Sequence, residues 1–339
     1  MRVLVTGAAG LIGGELCARL VTRGHQVTAL VHRVHAVIGN DRQPVSVTLL
    51  PGDVTRPGLG VPSLPPLDLI IHSAAVTAFD APETLYRAVN IAGTVNVAAL
   101  GVPMIQVSTA YVCGTTDGRI MEASTGTTFV NGYEASKAAA EAMVRASGTR
   151  FAIARPSVVV GAWATGAISR FENIYMIFKL IAEHRVRTLP AAAGASLDLV
   201  PIDHACAGIT AMAEDFALVE GRTLHLVGAT ATPLKHLGAA IAAVPGLGAP
   251  HFVEPSDFAP ETLAPTERRY HAAAAALYTS YLLRNPLFDT SIAATLVPPC
   301  PPTDRAWLDR LIAFALAQGF VAARPLTARQ DTAPPASWA

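Results

Sequence analysis

A short apolar run, Val3-Leu-Val-Thr6, leads straight into Gly7-Ala-Ala-Gly10-Leu-Ile-Gly13 and then into a segment where Ile12, Leu16 and Leu20 recur at helical spacing. Buried strand, glycine turn and amphipathic helix in that order leave few folds open. Gly7 permits a tight turn, Gly10 lets backbone N–H groups approach a pyrophosphate, and Gly13 allows the helix to pack close to a sheet. The spacing is not the Gly-x-Gly-x-x-Gly of the simplest dinucleotide fingerprint, so the flanking strand and helix carry the argument. Leu11 and Ile12, which open the helix, fall in the same cofactor site.

The rest of the first half repeats the pattern. Gln26–Val31, Val47–Leu50, Leu67–His72, Met104–Ser108 and Arg150–Arg155 have the composition of buried strands. Helical periodicity spans Glu83–Leu100 and Tyr133–Ser147, and Gly24 is placed to end the first helix. This alternation predicts an α/β fold, a doubly wound parallel sheet of the Rossmann type with helices on both faces. A dinucleotide-binding core over 1–160 is expected. Residues 161–322 should form mainly a smaller C-terminal substrate-binding lobe, partly returning to the core. Its expected elements are a helix Phe171–His184, a strand Leu197–Pro201, a helix from Asp203, a strand Thr223–Val227, an alanine-rich helix His271–Leu283 and a last helix Thr303–Gln318 with Thr303 as N-cap. The proline-rich interval 246–267 is expected to be either a long loop lying over the substrate cleft or a solvated connection, and 323–339 a disordered tail.

Composition removes several function classes. With 25 Lys+Arg against 25 Asp+Glu, no long-range field favours nucleic acid. Mean hydropathy is high at +0.39. No apolar stretch approaches the roughly 20 residues of a membrane span, so a large Ala/Val core accounts for the value. The four cysteines are scattered, as reduced thiols would be, and the first residues do not read as a signal peptide. Both features point to a cytoplasmic protein. No clustered His/Cys/Asp set accompanies His32-Arg-Val-His35, so no metal site is expected.

The chemistry is carried by Tyr133-Glu-Ala-Ser-Lys137, which uses one of only three lysines in the chain. Residues four apart share a helix face, so the phenol and the ammonium can enter one cleft. There the ammonium, with an oxidised nicotinamide, would favour the phenolate. Lys137 would also hold the nicotinamide ribose. Val107-Ser-Thr-Ala110, at the end of the preceding strand, supplies Thr109 as a hydrogen-bond donor to a carbonyl, with Ser108 structural. After the second strand stand His32 and Arg33 and no acid. Arg33 is therefore the candidate clamp for a 2′-phosphate, making NADP(H) the preferred cofactor and NAD(H) a possible one. Asp53 is placed to accept from adenine, Val54 beside it is expected in the same cofactor site, and Ser73, Ala74 and Ala75 supply small side chains beside a dinucleotide.

Thr6 to Gly13, Val89-Asn-Ile-Ala-Gly-Thr94, Val107-Ser-Thr-Ala-Tyr-Val-Cys-Gly114, Tyr133 to Lys137 and Arg155-Pro-Ser-Val-Val-Val-Gly161 together resemble an extended short-chain dehydrogenase/reductase. More narrowly, residues 1–240 resemble the thioester-reductase-like branch, which includes fatty-acyl-CoA reductases. That resemblance implies a pyrophosphate loop at Gly7, Gly10 and Gly13, adenine contact by Asp53 and cofactor packing by Ala74, Ala75 and Asn90. It further implies a Thr109/Tyr133/Lys137 triad, nicotinamide packing by Pro156 and Ser157, and a homodimer through Glu83–Leu100 and Tyr133–Ser147. Neither a leading segment before the first strand nor an adenylation or carrier domain is expected, which leaves a free ketone or aldehyde as open as an acyl thioester.

The activity so implied is hydride transfer to a carbonyl, with Tyr133 as proton donor. A bulky apolar substrate is expected because Trp163, Ile168, Phe171, Ile174, Tyr175, Met176, Ile177 and Phe178 form a large-residue stripe with few cations, some of it lining a pocket. The alternatives are a nucleotide-sugar epimerase or dehydratase, which would need cations for a diphosphate, and a non-catalytic NADP-sensing protein, which usually lacks the Tyr/Lys pair.

Overall fold

The structure is a computed structural model that describes residues 1–324. The tail expected from 323 onward lies, from residue 325, outside the described residues. Six strands form close to where the apolar runs place them: β1 Arg2–Thr6, β2 Gln26–Val31, β3 Thr48–Pro51, β4 Leu69–His72, β5 Met104–Val107 and, after the short β6 Gly118–Ile120, β7 Phe151–Pro156. With Thr223–Leu226 they make a seven-stranded sheet, ordered Thr223–Leu226, β7, β5, β4, β1, β2, β3, and every pairing is parallel.

Side-chain alternation explains why both faces are covered. Val3, Val5, Ala29, Val31, Leu69 and Ile71 face one way and pack with Leu16 and Leu20 of α1 (Leu11–Thr22) and with Ile202, Ile209 and Met212 of the helix Ile202–Glu214. Leu4, Leu30, Ile70 and Met104 face the other way, against Val97 and Val144. Those two belong to a composite helix and to α4 (Gly132–Ala146). The composite helix, read from sequence as one element, is α2 (Glu83–Tyr86), a π turn at Arg87–Ala92 and α3 (Gly93–Ala98).

The chain divides into two compact units, both discontinuous. The first contains Met1–Arg170, Asp198–Ala231 and Pro286–Thr303. The helix Ile202–Glu214 and strand Thr223–Leu226, grouped with the lobe by sequence, are therefore part of the sheet unit, because the buried face of the helix covers the sheet. The expected strand Leu197–Pro201 is broken at Asp198. Ser196–Leu197 pairs antiparallel with Thr232–Pro233, and Leu199–Pro201 pairs parallel with Val158–Val160.

The second unit contains Phe171–Leu197, Thr232–Asn285 and the chain from Asp304. Its helices are Ile174–Ala182, Leu234–Ala242, Pro265–Tyr270 continuing through a π turn into Ala276–Leu282, and Arg305–Ala317. Three expectations change here. Asp304, not Thr303, caps the last helix, accepting from the Trp307 N–H at 3.0 Å. The interval 246–267 is no long loop: His251–Val253 pairs with Thr188–Pro190, and two 3-10 turns follow. The aromatic stripe is largely packing: Ile174, Tyr175 and Ile177 are buried, and Phe171 stacks on Phe320 with centroids 4.1 Å apart. In the first unit Ile168 is buried and the Trp163 indole N–H donates to the Pro302 carbonyl at 2.9 Å. No helix among the described residues is long and apolar enough to cross a membrane.

Candidate active site

Strand order reverses between β1 and β4, and in a parallel sheet the crevice beyond the C-terminal ends of such strands takes the ligand. Gly7 turns out of β1 with φ +67°, and a Cβ on it would stand 2.6 Å from the Ala74 nitrogen. A Cβ on Gly13 would meet the Gly7 carbonyl oxygen at 2.1 Å. Both positions therefore require glycine. The Gly10 N–H donates to the Gly7 carbonyl at 2.9 Å, and Gly10 caps α1 without a side chain. The first N–H groups of α1, at Leu11, Ile12 and Gly13, are left for an anion. This cradle of backbone donors, closed to any Cβ, fits a dinucleotide pyrophosphate. Ser73 donates its hydroxyl to the Thr6 carbonyl at 2.8 Å, so it shapes the crevice wall, and Ala74 and Ala75 are partly exposed beside it.

At the ends of the next two strands, Asp53 Oδ1 accepts from the Thr55 N–H at 2.9 Å and from its hydroxyl at 2.8 Å. The Thr55 N–H holds this carboxyl below the ordinary aspartate range. His32 Nε2 lies 3.7 Å from Asp53 Oδ2. Arg33 is exposed and, among the described residues, has no ion pair or hydrogen bond. Val54 is a packing residue: it is buried, and a Cβ on Gly93 would stand 3.1 Å from its Cγ2.

The three catalytic candidates converge. Thr109, two residues beyond the end of β5, accepts from the Tyr111 N–H at 3.3 Å, and its side chain lies near the Tyr133 phenol. Asn131 caps α4 by accepting from the Glu134 N–H at 2.9 Å, which fixes the turn that carries Tyr133. The Lys137 Nζ donates to the Val107 carbonyl at 2.6 Å. The electrostatics differ from the sequence expectation of a favoured phenolate. Burial raises the Tyr133 phenol well above its ordinary value, and burial lowers the Lys137 ammonium to about 8. Desolvation is the largest cause of the phenol's shift, and the Glu134 charge adds to it. Ser108, expected to be structural, is buried, and its Oγ has no hydrogen-bond partner among the described residues.

Asn90 lies inside the π turn, and its amide is committed to protein. Oδ1 accepts from the Val76 N–H at 2.7 Å, and Nδ2 donates to the Val76 carbonyl at 3.0 Å and to Ser136 Oγ at 2.8 Å. It frames the site through Val76 and α4. Pro156 ends β7, and Ser157 donates to Asp198 Oδ1 at 2.5 Å. Sequence reasoning passed over Asp198, although an acid inside the apolar run Leu197–Pro201 was the available signal. Buried, and accepting also from the Gly228 N–H at 2.8 Å, its carboxyl is pushed up to about 6 by desolvation. His72, at the buried end of β4, was quoted only beside its small neighbours; its environment lowers it to about 3, burial first and the Lys137 charge second.

The family model described as Male sterility protein matches residues 5–209. A ketoreductase of Stigmatella aurantiaca acting on 4-hydroxy-2-methyl-3-oxo-4-farnesyl-3,4-dihydroquinoline-1-oxide is 32% identical over 178 residues, 48% of this chain and 51% of that protein. A 2-alkyl-3-oxoalkanoate reductase of Stenotrophomonas maltophilia is 34% identical over 99 residues, 29% of each chain. The chain thus matches about half of the first relative's length and less of the second. Among solved structures, the terminal R domain of the myxalamid PKS-NRPS pathway aligns with TM-score 0.79 at 23% identity, covering 96% of this chain and 92% of that one. A UDP-galactose 4-epimerase aligns with TM-score 0.66 at 21% identity, covering 94% and 99%. At such identities the two structures speak for the fold. The family match extends over more than half of the chain and takes in both the glycine cradle and the Tyr/Lys helix: the chain belongs to the Male sterility protein family.

Proposed function

We propose that this chain reduces a carbonyl on a largely apolar substrate with NADP(H). The observation that carries the reading is the meeting of Thr109, Tyr133 and Lys137 at the mouth of β5, where the Lys137 Nζ donates to the Val107 carbonyl at 2.6 Å and burial keeps the Tyr133 phenol protonated. Bound NADPH would supply the hydride. A substrate oxygen between Thr109 Oγ1 and the Tyr133 hydroxyl accepts from both. Tyr133 then passes its proton to that oxygen as negative charge develops there, and the nearby Lys137 ammonium stabilises the phenolate left behind. In the reductive direction a raised phenol pKa is no obstacle, because the group must arrive with its proton.

For the substrate, the buried stripe of the second unit no longer supports an apolar pocket. The names of the two curated relatives do: both are reductases of oxo groups on molecules with alkyl or farnesyl chains. A ketone, an aldehyde and an acyl thioester all belong to this reading. A homodimer through the composite helix and α4 is supported by exposed Leu85, Val95 and Met143, and a sedimentation measurement that finds only monomer would remove it.

The test is NADPH oxidation against alkyl-chain ketones, aldehydes and acyl thioesters. Tyr133→Phe should lower turnover by about 10²–10⁴ while NADPH affinity stays nearly intact. Turnover should fall as pH rises past about 8, where Lys137 loses its proton, and Lys137→Arg should move that limb to higher pH. Near-normal turnover by Tyr133→Phe, or saturable binding of a nucleotide diphosphate sugar with no carbonyl reduced, would overturn the reading.

A further inference from the structure

We propose that His72 is a two-ended positioning residue, one ring nitrogen setting the dinucleotide crevice and the other setting the helix turn that supports Tyr133. The effect on turnover rests on the reductase reading above; the effect on cofactor affinity does not.

His72 is wholly buried at the end of β4, in register with Thr6 at the end of β1. Its Nδ1 lies 2.6 Å from Thr6 Oγ1, and its Nε2 lies 3.1 Å from Thr94 Oγ1. The neighbouring bonds fix the direction of each. Thr94 spends its hydroxyl hydrogen on the Asn90 carbonyl at 2.7 Å, so it can only accept from His72, and Nε2 carries the ring proton. Nδ1 is then an acceptor, and Thr6 donates to it while its own Oγ1 accepts from the Ala74 N–H at 3.2 Å. One neutral tautomer satisfies every group along this path.

At the first end, Thr6 and Ala74 are the residues between which Gly7 is pressed, its absent Cβ 2.6 Å from the Ala74 nitrogen. A shift of Ala74 by a few tenths of an ångström would change the floor beneath the pyrophosphate. At the other end, Thr94 holds the Asn90 carbonyl in the π turn. The Asn90 amide grips both backbone groups of Val76 and donates to Ser136 Oγ, and Ser136 donates to the Tyr133 carbonyl at 2.8 Å. A single imidazole therefore connects the cofactor loop to the backbone of the proton donor.

The two ends separate by substitution. His72→Asn places an amide where Nδ1 stands and keeps the Thr6 contact alone; His72→Gln reaches the Nε2 position and keeps the Thr94 contact alone. NADPH dissociation constants, read by fluorescence without substrate, should weaken about five- to tenfold in His72→Gln and much less in His72→Asn, the worth of one lost hydrogen bond. Turnover at saturating NADPH should show the reverse order. Thr94→Val, nearly isosteric, should reproduce His72→Asn and serves if either histidine variant fails to fold. The proposal is overturned if affinity and turnover fall together in each of these variants, in step with melting temperature, since a residue that only fills the core would act that way. Unaltered turnover in Tyr133→Phe would count against the reductase reading instead, and the affinity ordering would still judge the crevice end.

Discussion

Asp198 shows what one buried carboxyl does to stability. Its pKa of about 6 in the folded chain lies above the ordinary value near ~3.9, so the native state keeps a proton that the unfolded state releases between these limits. Stability contributed by this group is thus lost as pH rises from about 4 to about 6. His72 runs the other way. At about 3 in the folded chain and ~6.5 unfolded, it destabilises the native state as pH falls through that interval. The two slopes partly cancel in the parent chain, so only a variant exposes either. Asp198→Asn keeps the oxygen that accepts from Ser157 and Gly228 and cannot ionise. Its melting temperature should match the parent near pH 4 and exceed it at pH 7, by about 2 kcal/mol in stability. An offset that does not change with pH would show that Asp198 is not the titrating group. Thr109, Tyr133 and Lys137 were legible from sequence because spacing along one helix and position at a strand end are local properties. The sign of the Tyr133 shift was not, because desolvation depends on residues contributed by several strands.

At the scale of elements, α4 is held to β7 by a buried ion pair. Arg155 donates to Glu141 Oε1 at 2.8 Å and Oε2 at 2.7 Å, and its remaining donors reach the Glu122 and Ser124 carbonyls and Thr125 Oγ1. Both side chains are almost fully buried. Removing one partner strands the other charge, so Glu141→Leu should cost about 3–5 kcal/mol in urea unfolding, and adding Arg155→Met should recover most of it. A double variant no more stable than Glu141→Leu would show that packing, not the uncompensated charge, sets the cost. Sequence periodicity located α4 and β7 almost to the residue, since each has a strong pattern of its own. It could not show that residues 14 positions apart would meet. The π turn at Arg87–Ala92 was likewise invisible, because one extra residue in a single turn hardly alters the apolar spacing on either side.

For the molecule as a whole, a cofactor that binds only the folded chain raises its apparent stability by mass action, about 2.7 kcal/mol at a hundredfold excess over Kd. Cofactor choice can therefore be read as a difference in melting temperature. If Arg33 clamps the 2′-phosphate, NADPH should stabilise more than NADH, and Arg33→Ala should remove roughly 1–3 kcal/mol of that preference. Equal shifts with both cofactors in the parent chain would sink the assignment. The doubly wound sheet, its glycine turn and the Tyr/Lys helix were determined by the sequence alone, because strand runs, helical repeats and a turn that excludes Cβ are each written within a few neighbouring residues. Only the tertiary structure decided that Ile202–Glu214 and Thr223–Leu226 return to the sheet, that the Phe171–Phe178 stripe turns mostly inward, and that His72 and Asp198 are buried ionisable groups. Those outcomes depend on which surfaces distant segments find to cover, and burial between segments leaves no period in the chain.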